Sequence, residues 1–374
     1  MILVVYGTTG ELIKLAPVLR LLSSSGSGYL SATTGQQVEQ IPALLESFEL
    51  PPPDWWLAHG AGGRDLRQSA DVPGWLGRVL AAFSRFGPSM RRALRAEPGR
   101  PLVLVHGDTF TTVLGGLMGR AMRFPVAHVE AGLRSFDVRH PFPEELDRRC
   151  ASLLSTIHFA PSAWAASNIQ RGTIVDTGSN TIWDSLRLAD DLAGESIRLP
   201  VERFGIVSLH RFELLRNDAL LRATVELLGE YSRRVPLLFV EHPVTMAALR
   251  SKRLAHLLDG SAFRCIPRLP FLEFASLMRR SSFLVTDSGG NQEESYYLDL
   301  PCLVHRKRTE RREGLGENVV LSEYQLPVLE RFLQAPWRHR RRGALPVTSP
   351  SQVIVEDLHA RGFAASRNVR PARG

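Results

Sequence analysis

Short continuous apolar runs, each bounded by polar or turn-forming residues, recur at 2–6, 29–34, 101–106, 125–129, 204–209, 237–240, 263–266, 283–285 and 301–304. Runs that are apolar throughout, rather than alternating, suit strands covered on both faces. Helix-like stretches separate them, and strand alternating with helix implies parallel, doubly wound α/β sheets. A length of 374 residues exceeds one ordinary core and predicts two domains. The expected division is a first domain over 1–190 and a second over 191–349, with a linker near 190–202. Residues 350–362 read as a helix, and the tail 365–374 is expected to be disordered.

Composition narrows the function classes. No apolar run reaches the roughly 18 residues of a spanning helix, so no membrane insertion is expected. The start, Met1-Ile2-Leu3-Val4-Val5-Tyr6, lacks a basic leader and reads as the first buried strand, which points to the cytoplasm. Cys150, Cys265 and Cys302 stand far apart without metal-ligand spacing and read as reduced core residues. The net charge of +8 comes without a basic stripe interleaved with aromatics. Its densest cluster, 338–342, stands between helix-like stretches, so an anionic small molecule is a better expected partner than nucleic acid. Lysine occurs only at 14, 252 and 307, which singles out Lys14 in the first loop. Residues 51–75, with Trp55 and Trp56, read as a long loop of the functional kind.

In doubly wound sheets ligands sit beyond the carboxyl ends of the strands. Asp108 follows the run 101–106 and Glu130 follows 125–129, so both should face one crevice. Pro143, Glu144 and Glu145 read as a helix start. The charged stretch from Arg134 to Arg149 is either a solvated loop or the polar wall of a site. In the second half, His210 and His242 follow strand-like runs, although a single histidine there can equally be structural. The run 283–285 leads into Ser288-Gly289-Gly290 and then Glu293 and Glu294. A strand, a small-residue turn and a helix start form an anion site, where N–H groups and the macrodipole favour phosphate. Glu294 one turn further on can accept hydrogen bonds from a ribose diol, or can simply complement the helix dipole.

Taken together, these strings resemble the UDP-N-acetylglucosamine 2-epimerase family. The matching residues are Gly7, Thr8, Glu11 and Lys14-Leu15-Ala16-Pro17-Val18, then His106-Gly107-Asp108-Thr109 and His128-Val129-Glu130-Ala131-Gly132-Leu133-Arg134. Pro143-Glu144-Glu145, His210-Arg211, His242-Pro243, Thr286-Asp287-Ser288-Gly289-Gly290-Asn291-Gln292-Glu293-Glu294 and Thr309-Glu310-Arg311 follow in family order. The resemblance implies a GT-B-like fold of two Rossmann-type domains with an interdomain active-site cleft. It also implies that the helix at about 350–364 packs back on the first domain. The implied reaction epimerises C2 of a UDP-N-acetylhexosamine by eliminating UDP to a 2-acetamidoglucal and adding it back. A hydrolysing relative that releases UDP and a free N-acetylmannosamine-type sugar, or a GT-B glycosyltransferase, are the alternatives. Carried over, Asp108, Glu130 and Glu144 become the acid/base set, with His210 beside them. Lys14, Arg134, His242, Ser288, Gly289, Gly290, Glu294 and Arg311 become contacts to the UDP-sugar. No metal or redox cofactor is implied, and a homodimer is.

Two loops depart from the family pattern. Gly7-Thr8-Thr9-Gly10-Glu11 stands where Gly-Thr-Arg-Pro-Glu is usual, and Lys14 cannot reproduce a bidentate guanidinium contact. The run after His210 is Arg211-Phe212-Glu213 rather than Arg-Arg-Glu. Bacterial non-hydrolysing members also commonly carry Gln-His-Arg-Glu-Met after the second strand, where a second substrate molecule binds and activates. Here that run is Gln36-Gln37-Val38-Glu39-Gln40, so activation is not expected unless Arg64 or Arg67 restores the charge.

Overall fold

The computed structural model describes residues 1–66, 68, 70–97, 99–137, 143–192, 203–258, 263–309, 311–341 and 348–364. The expected linker, the end of the basic cluster and the tail lie wholly or partly outside these residues, as do Arg67, Arg139, His140 and Glu310. The chain divides into two compact units, 1–185 with 346–374, and 186–345.

Unit 1 is built on seven strands, β1 (Ile2–Tyr6), β2 (Leu30–Thr33), β3 (Trp55–Trp56), β4 (Leu102–His106), β5 (Val126–Val129), β6 (Ile157–Ala160) and β7 (Thr173–Asp176). They run in the order β3-β2-β1-β4-β5-β6-β7, and every pairing is parallel. The strands β1, β4, β5 and β6 are buried at every position, as continuous apolar runs require when helices cover both faces. The unit's helices are α1 (Thr9–Ser24), α2 (Ile41–Ser47), α3 (Asp71–Ala96), α4 (Phe110–Met122), α5 (Glu144–Leu154), α6 (Ala163–Ser167) and α7 (Ile182–Leu192), whose last residues enter unit 2.

Two glycines one turn apart let α4 lie close on the sheet. A Cβ at Gly115 would come within 2.6 Å of Val105, and one at Gly119 within 2.5 Å of Val126. The chain's last described helix, Pro350–Ala360, packs against α1. The amino group of Met1 donates to Phe363 O (3.2 Å), and Asp184 accepts from Ser349 Oγ and Ser351 N. The chain's end is thereby part of unit 1.

Unit 2 has six strands, β8 (Gly205–Ser208), β9 (Leu237–Glu241), β10 (Phe263–Pro267), β11 (Phe283–Thr286), β12 (Cys302–Val304) and β13 (Val319–Leu321). They form a parallel sheet in the order β10-β9-β8-β11-β12-β13. One face of the core gathers Val207, Phe239, Phe283, Val285 and Phe332. The other gathers Ile206, Leu238, Leu284, Cys302 and Val304. Gly205 is needed under Phe283, because a Cβ there would meet the ring at 2.3 Å. The helices are α8 (Phe212–Leu215), α9 (Asp218–Ser232), α10 (Pro243–Ser251), α11 (Phe271–Arg280), α12 (Gly289–Tyr297) and α13 (Leu326–Gln334), before the α14 of unit 1 (Pro350–Ala360).

Several local expectations change. The helix-like stretch after β2 begins only at Ile41, because Gln37 N donates to Gly7 O and Val38 N to Asp65 Oδ1. The loop expected over 51–75 contains the edge strand β3 and the first turn of α3. Trp75 is fully buried there, with its indole N–H on Thr34 O. Strand β13 follows what reads as the last strand. Of the cysteines expected in a core only Cys302 is buried; Cys150 is half-buried and Cys265 is exposed on the edge strand β10. Among the described residues no helix is long and apolar enough to cross a membrane.

Candidate active site

In unit 1 the turns after β1 and β4 are tied into one polar surface by Glu11. Its carboxylate is buried and accepts from Gly7 N (2.8 Å), Thr8 N (2.9 Å), Thr109 Oγ1 (2.6 Å) and Thr112 Oγ1 (3.3 Å). Burial pushes this acid up against those donors, which favour the ionised form. Thr8 and Glu11 complete a capping box that starts α1. One side chain therefore sets the first loop against the turn that carries Asp108.

Glu130 follows β5 with a left-handed backbone (φ 64°), a conformation a side chain adopts at some cost. Its Oε2 lies 2.5 Å from Lys14 Nζ and 3.3 Å from His106 Nε2. Lys14, expected against the nucleotide, thus lies on a carboxylate, and the two side chains are 13% and 6% exposed. Asp108 accepts from Arg148 at 2.8 Å (Nε) and approaches its Nη2 at 2.6 Å. Glu144 is the first residue of α5, and Pro143 stands at the N-cap position just outside the helix, without a side-chain capping bond. It is half-buried, and its enclosed Oε2 has no partner among the described residues. Its neighbour Glu145 is fully buried and accepts from Ser135 N (2.9 Å), with Arg149 Nε at 3.3 Å. Glu145 fastens the loop after β5 to α5. Arg134 donates to Leu133 O and to Ser152 Oγ, both at 2.8 Å.

In unit 2 the organising group is Asp287, the residue after β11 and fully buried. It accepts from the peptide N–H groups of His210 (2.9 Å) and Arg211 (2.8 Å), and His210 Nδ1 stands 3.5 Å away. His242 Nε2 lies 3.0 Å from Ser208 Oγ, and the two imidazoles are 4.5 Å apart. Burial lowers both imidazoles. For His210, Asp287 partly opposes it; His242, with His210 and Arg268 adding to burial, falls to about 3. Both rings are therefore neutral near pH 7 and can donate hydrogen bonds to an anion without carrying its counter-charge.

The turn at Ser288 begins α12 as the sequence suggests. Ser288 is the N-cap, Gly289 and Gly290 open the first turn, and no side chain crowds a Cβ at Gly290 closer than 3.6 Å. Glu293 and Glu294 do not open the helix; they fall in its second turn. Glu294 is half-buried, with Oε2 accepting from Asn291 Nδ2 at 2.8 Å. Glu293 is 1% exposed and pairs with Arg311 Nη1 at 2.7 Å, so Arg311 rests on α12. Gln292 binds the same loop through Arg311 O, Glu313 O and Thr309 Oγ1.

The structure thus brings Lys14 and Glu130 together, Asp108 beside the Glu144 face of α5, and His210 with His242 and the Ser288 turn. The sequence reading missed Asp287, Arg148 and the pinning role of Glu11. Asp287 lies inside the quoted 286–294 string, and its position directly after a buried strand was the available signal. Arg148 is not separable by sequence from the other arginines around it.

Residues 30–325 match the model of the UDP-N-acetylglucosamine 2-epimerase family. A UDP-N-acetylglucosamine 2-epimerase of Methanococcus maripaludis is 31% identical over 333 residues, covering 84% of this chain and 85% of the relative. The crystal structure of the Methanocaldococcus jannaschii UDP-GlcNAc 2-epimerase in complex with UDP-GlcNAc and UDP superposes with a TM-score of 0.75 at 28% identity, over 96% and 99% of the two chains. The Neisseria meningitidis enzyme bound to UDP-GlcNAc gives 0.76 at 26% identity, over the same shares. With the family model matched over 30–325, a relative 31% identical over most of both chains and two parallel-sheet α/β units, this chain belongs to the UDP-N-acetylglucosamine 2-epimerase family.

Proposed function

We propose that the protein interconverts the C2 epimers of a UDP-N-acetylhexosamine of the UDP-N-acetylglucosamine type. A carboxylate of unit 1 takes the C2 proton while the C1–O bond breaks, its electron pair leaving on UDP. A C1=C2 double bond forms, giving the 2-acetamidoglucal. Protonation of C2 from the other face and return of the UDP oxygen to C1 complete the exchange, so atoms and electrons balance without an oxidant or a metal. Removing a weakly acidic proton needs positioned carboxylates and strong stabilisation of the departing diphosphate.

The observation that carries this reading is the set of carboxylates on α5 and at the ends of β4 and β5. Asp108 has Arg148 beside it, Glu130 has Lys14, and Glu144 keeps an oxygen without a partner among the described residues. Unit 2 supplies groups suited to UDP: neutral imidazoles at His210 and His242, the N-terminus of α12 at Ser288, Gly289 and Gly290, and Glu294 for the ribose hydroxyls. The relatives crystallised with UDP-GlcNAc support that substrate class. Incubation with UDP-N-acetylglucosamine in deuterated water is the test. Deuterium at C2 of recovered sugar nucleotide, together with its epimer, is expected. Free UDP with a released sugar would identify the hydrolysing alternative, and no deuterium at C2 in any product would sink both.

A further inference from the structure

One carboxyl group of unit 1 has no part in the roles above. Asp147 stands three residues after Glu144 on α5, and its N–H continues the helix onto Pro143 O (3.1 Å). The residue is 5% exposed. Its Oδ2 is enclosed and meets no donor among the described residues. Burial without a partner opposes ionisation, and so do the neighbouring carboxylates Asp108 and Glu144. Together they push the Asp147 acid up to about 7.

The nearby cations are engaged elsewhere. Arg148 is on Asp108 and reaches Glu145 Oε2 at 3.7 Å, Arg149 is on Glu145, and Arg134 is on Leu133 O and Ser152 Oγ. Of the elements packed on α5, α4 carries a single charged side chain, Arg120, in its last turn. Strand β5 and the described residues after it carry His128, Glu130, Arg134 and Asp137, and His128 is kept neutral, at about 4, chiefly by burial.

We infer that Asp147 is a positioning residue for the reaction proposed above, a neutral carboxylic acid that limits the negative charge on the Asp108–Glu144 side of α5 while an anionic sugar nucleotide is bound. The inference rests on that reaction. With Asp147 protonated, Asp108 and Glu144 alone carry the negative charge on that side of α5. When it releases its proton to solvent, a third charge repels the diphosphate and opposes the negative charge that develops at C2.

The experiment compares wild type with Asp147→Asn and Asp147→Ser, measuring kcat/KM for C2 deuterium exchange from pH 5.5 to 9, and thermal midpoints from pH 4 to 8. Wild-type kcat/KM is expected to fall about tenfold as pH rises through an inflection near 7. Both variants, which cannot ionise there, should lose that inflection. The midpoints give a readout independent of turnover. An acid raised in the folded state contributes stability below its ordinary value and loses it as pH rises through about 7. The midpoint of Asp147→Asn relative to wild type should therefore climb between pH 4 and 7. A purely structural role would scale kcat/KM and displace the midpoint by the same amount at every pH. If the wild type exchanges and the variants keep its inflection, the role of Asp147 is overturned while the proposed reaction stands. If the wild type exchanges nothing, the proposed reaction falls, and this inference with it.

Discussion

Glu130 combines a left-handed backbone, near-complete burial and two basic neighbours, Lys14 and His106. Such a residue is held in one place, which is what a proton transfer to or from a fixed carbon requires. Asp108 is fixed by Arg148 and Glu144 by its place at the head of α5. Removing the ionisable oxygen from any of them, as Asp108→Asn, Glu130→Gln or Glu144→Gln, is expected to lower turnover by a factor on the order of 10² or more, with UDP still bound. Deuterium incorporation at C2 checks this, and near-normal exchange in all three would falsify the assignment. On unit 2, Glu294→Ala is expected to weaken UDP by about 1.5–3 kcal/mol, the range for a charged hydrogen-bonding partner. A calorimetric comparison with the 2′,3′-dideoxy analogue separates roles. Equal losses for the two ligands would leave Glu294 as a partner of Asn291 and the helix dipole only.

At the level of elements, the loops after β1 and β2 meet where both depart from the family pattern. Gln37 Oε1 accepts from Thr9 N (2.7 Å) and Thr9 Oγ1 (2.9 Å). Val38 N and Glu39 N both donate to Asp65 Oδ1. Where the family pattern implied by the sequence has His-Arg, this surface holds Gln37 and Val38, with Asp65 beside them. Losing one charge-assisted contact is worth about 1.5–3 kcal/mol, and Asp65 adds repulsion. Rate against substrate is expected to be hyperbolic. The reverse reaction, from the C2 epimer, is expected to start without the parent sugar nucleotide. A lag that traces of the parent abolish would show that activation persists. The strings around these loops were legible in the sequence, but the pairing of Thr9 with Gln37 was not. It depends on β1 and β2 lying side by side, with Val5 opposite Ala32 and Tyr6 opposite Thr33. The same limit hid β3, whose two residues form a strand only because β2 offers an edge.

At the scale of the whole molecule, histidines that burial holds neutral shape the response to acid. Burial lowers His128, His158 and His305 to about 4 and His242 to about 3. The unfolded chain takes up protons near the ordinary value of about 6.5, and the folded chain does not. Stability is therefore present above that value and is lost as pH falls towards 4. For His128 and His305, both nearly inaccessible, the loss at pH 5 is about 2 kcal/mol each. Asp147, Glu11 and Asp287, all raised by burial, act in the opposite sense, while His210, lowered by burial, acts with the other histidines. Thermal midpoints are expected to drop between pH 7 and pH 5, in unit 1 through His128 and His158 and in unit 2 through His242 and His305. Midpoints that stay level over that range would mean these rings protonate without opposing the fold.

The sequence by itself determined the fold class and the strand ends at which chemistry is placed. Both follow from local pattern: apolar runs of strand length, the turns that close them, and the polar residue that comes next. Asp108, Glu130, His210 and Ser288 could be numbered on that basis alone. Which charged side chain meets which was decided only in three dimensions, because partners such as Lys14, inside α1, and Glu130, just after β5, stand on different elements. Arg311 against Glu293, and Arg148 against Asp108, are pairings of the same kind, set by parallel crossovers that bring distant turns to one edge of a sheet. Burial was decided there too. Glu144, Glu145 and Asp147 look alike as a run of acids, yet packing leaves the first half-buried with one unpartnered oxygen, bonds the second to Ser135 and Arg149, and buries the third so that it favours its proton.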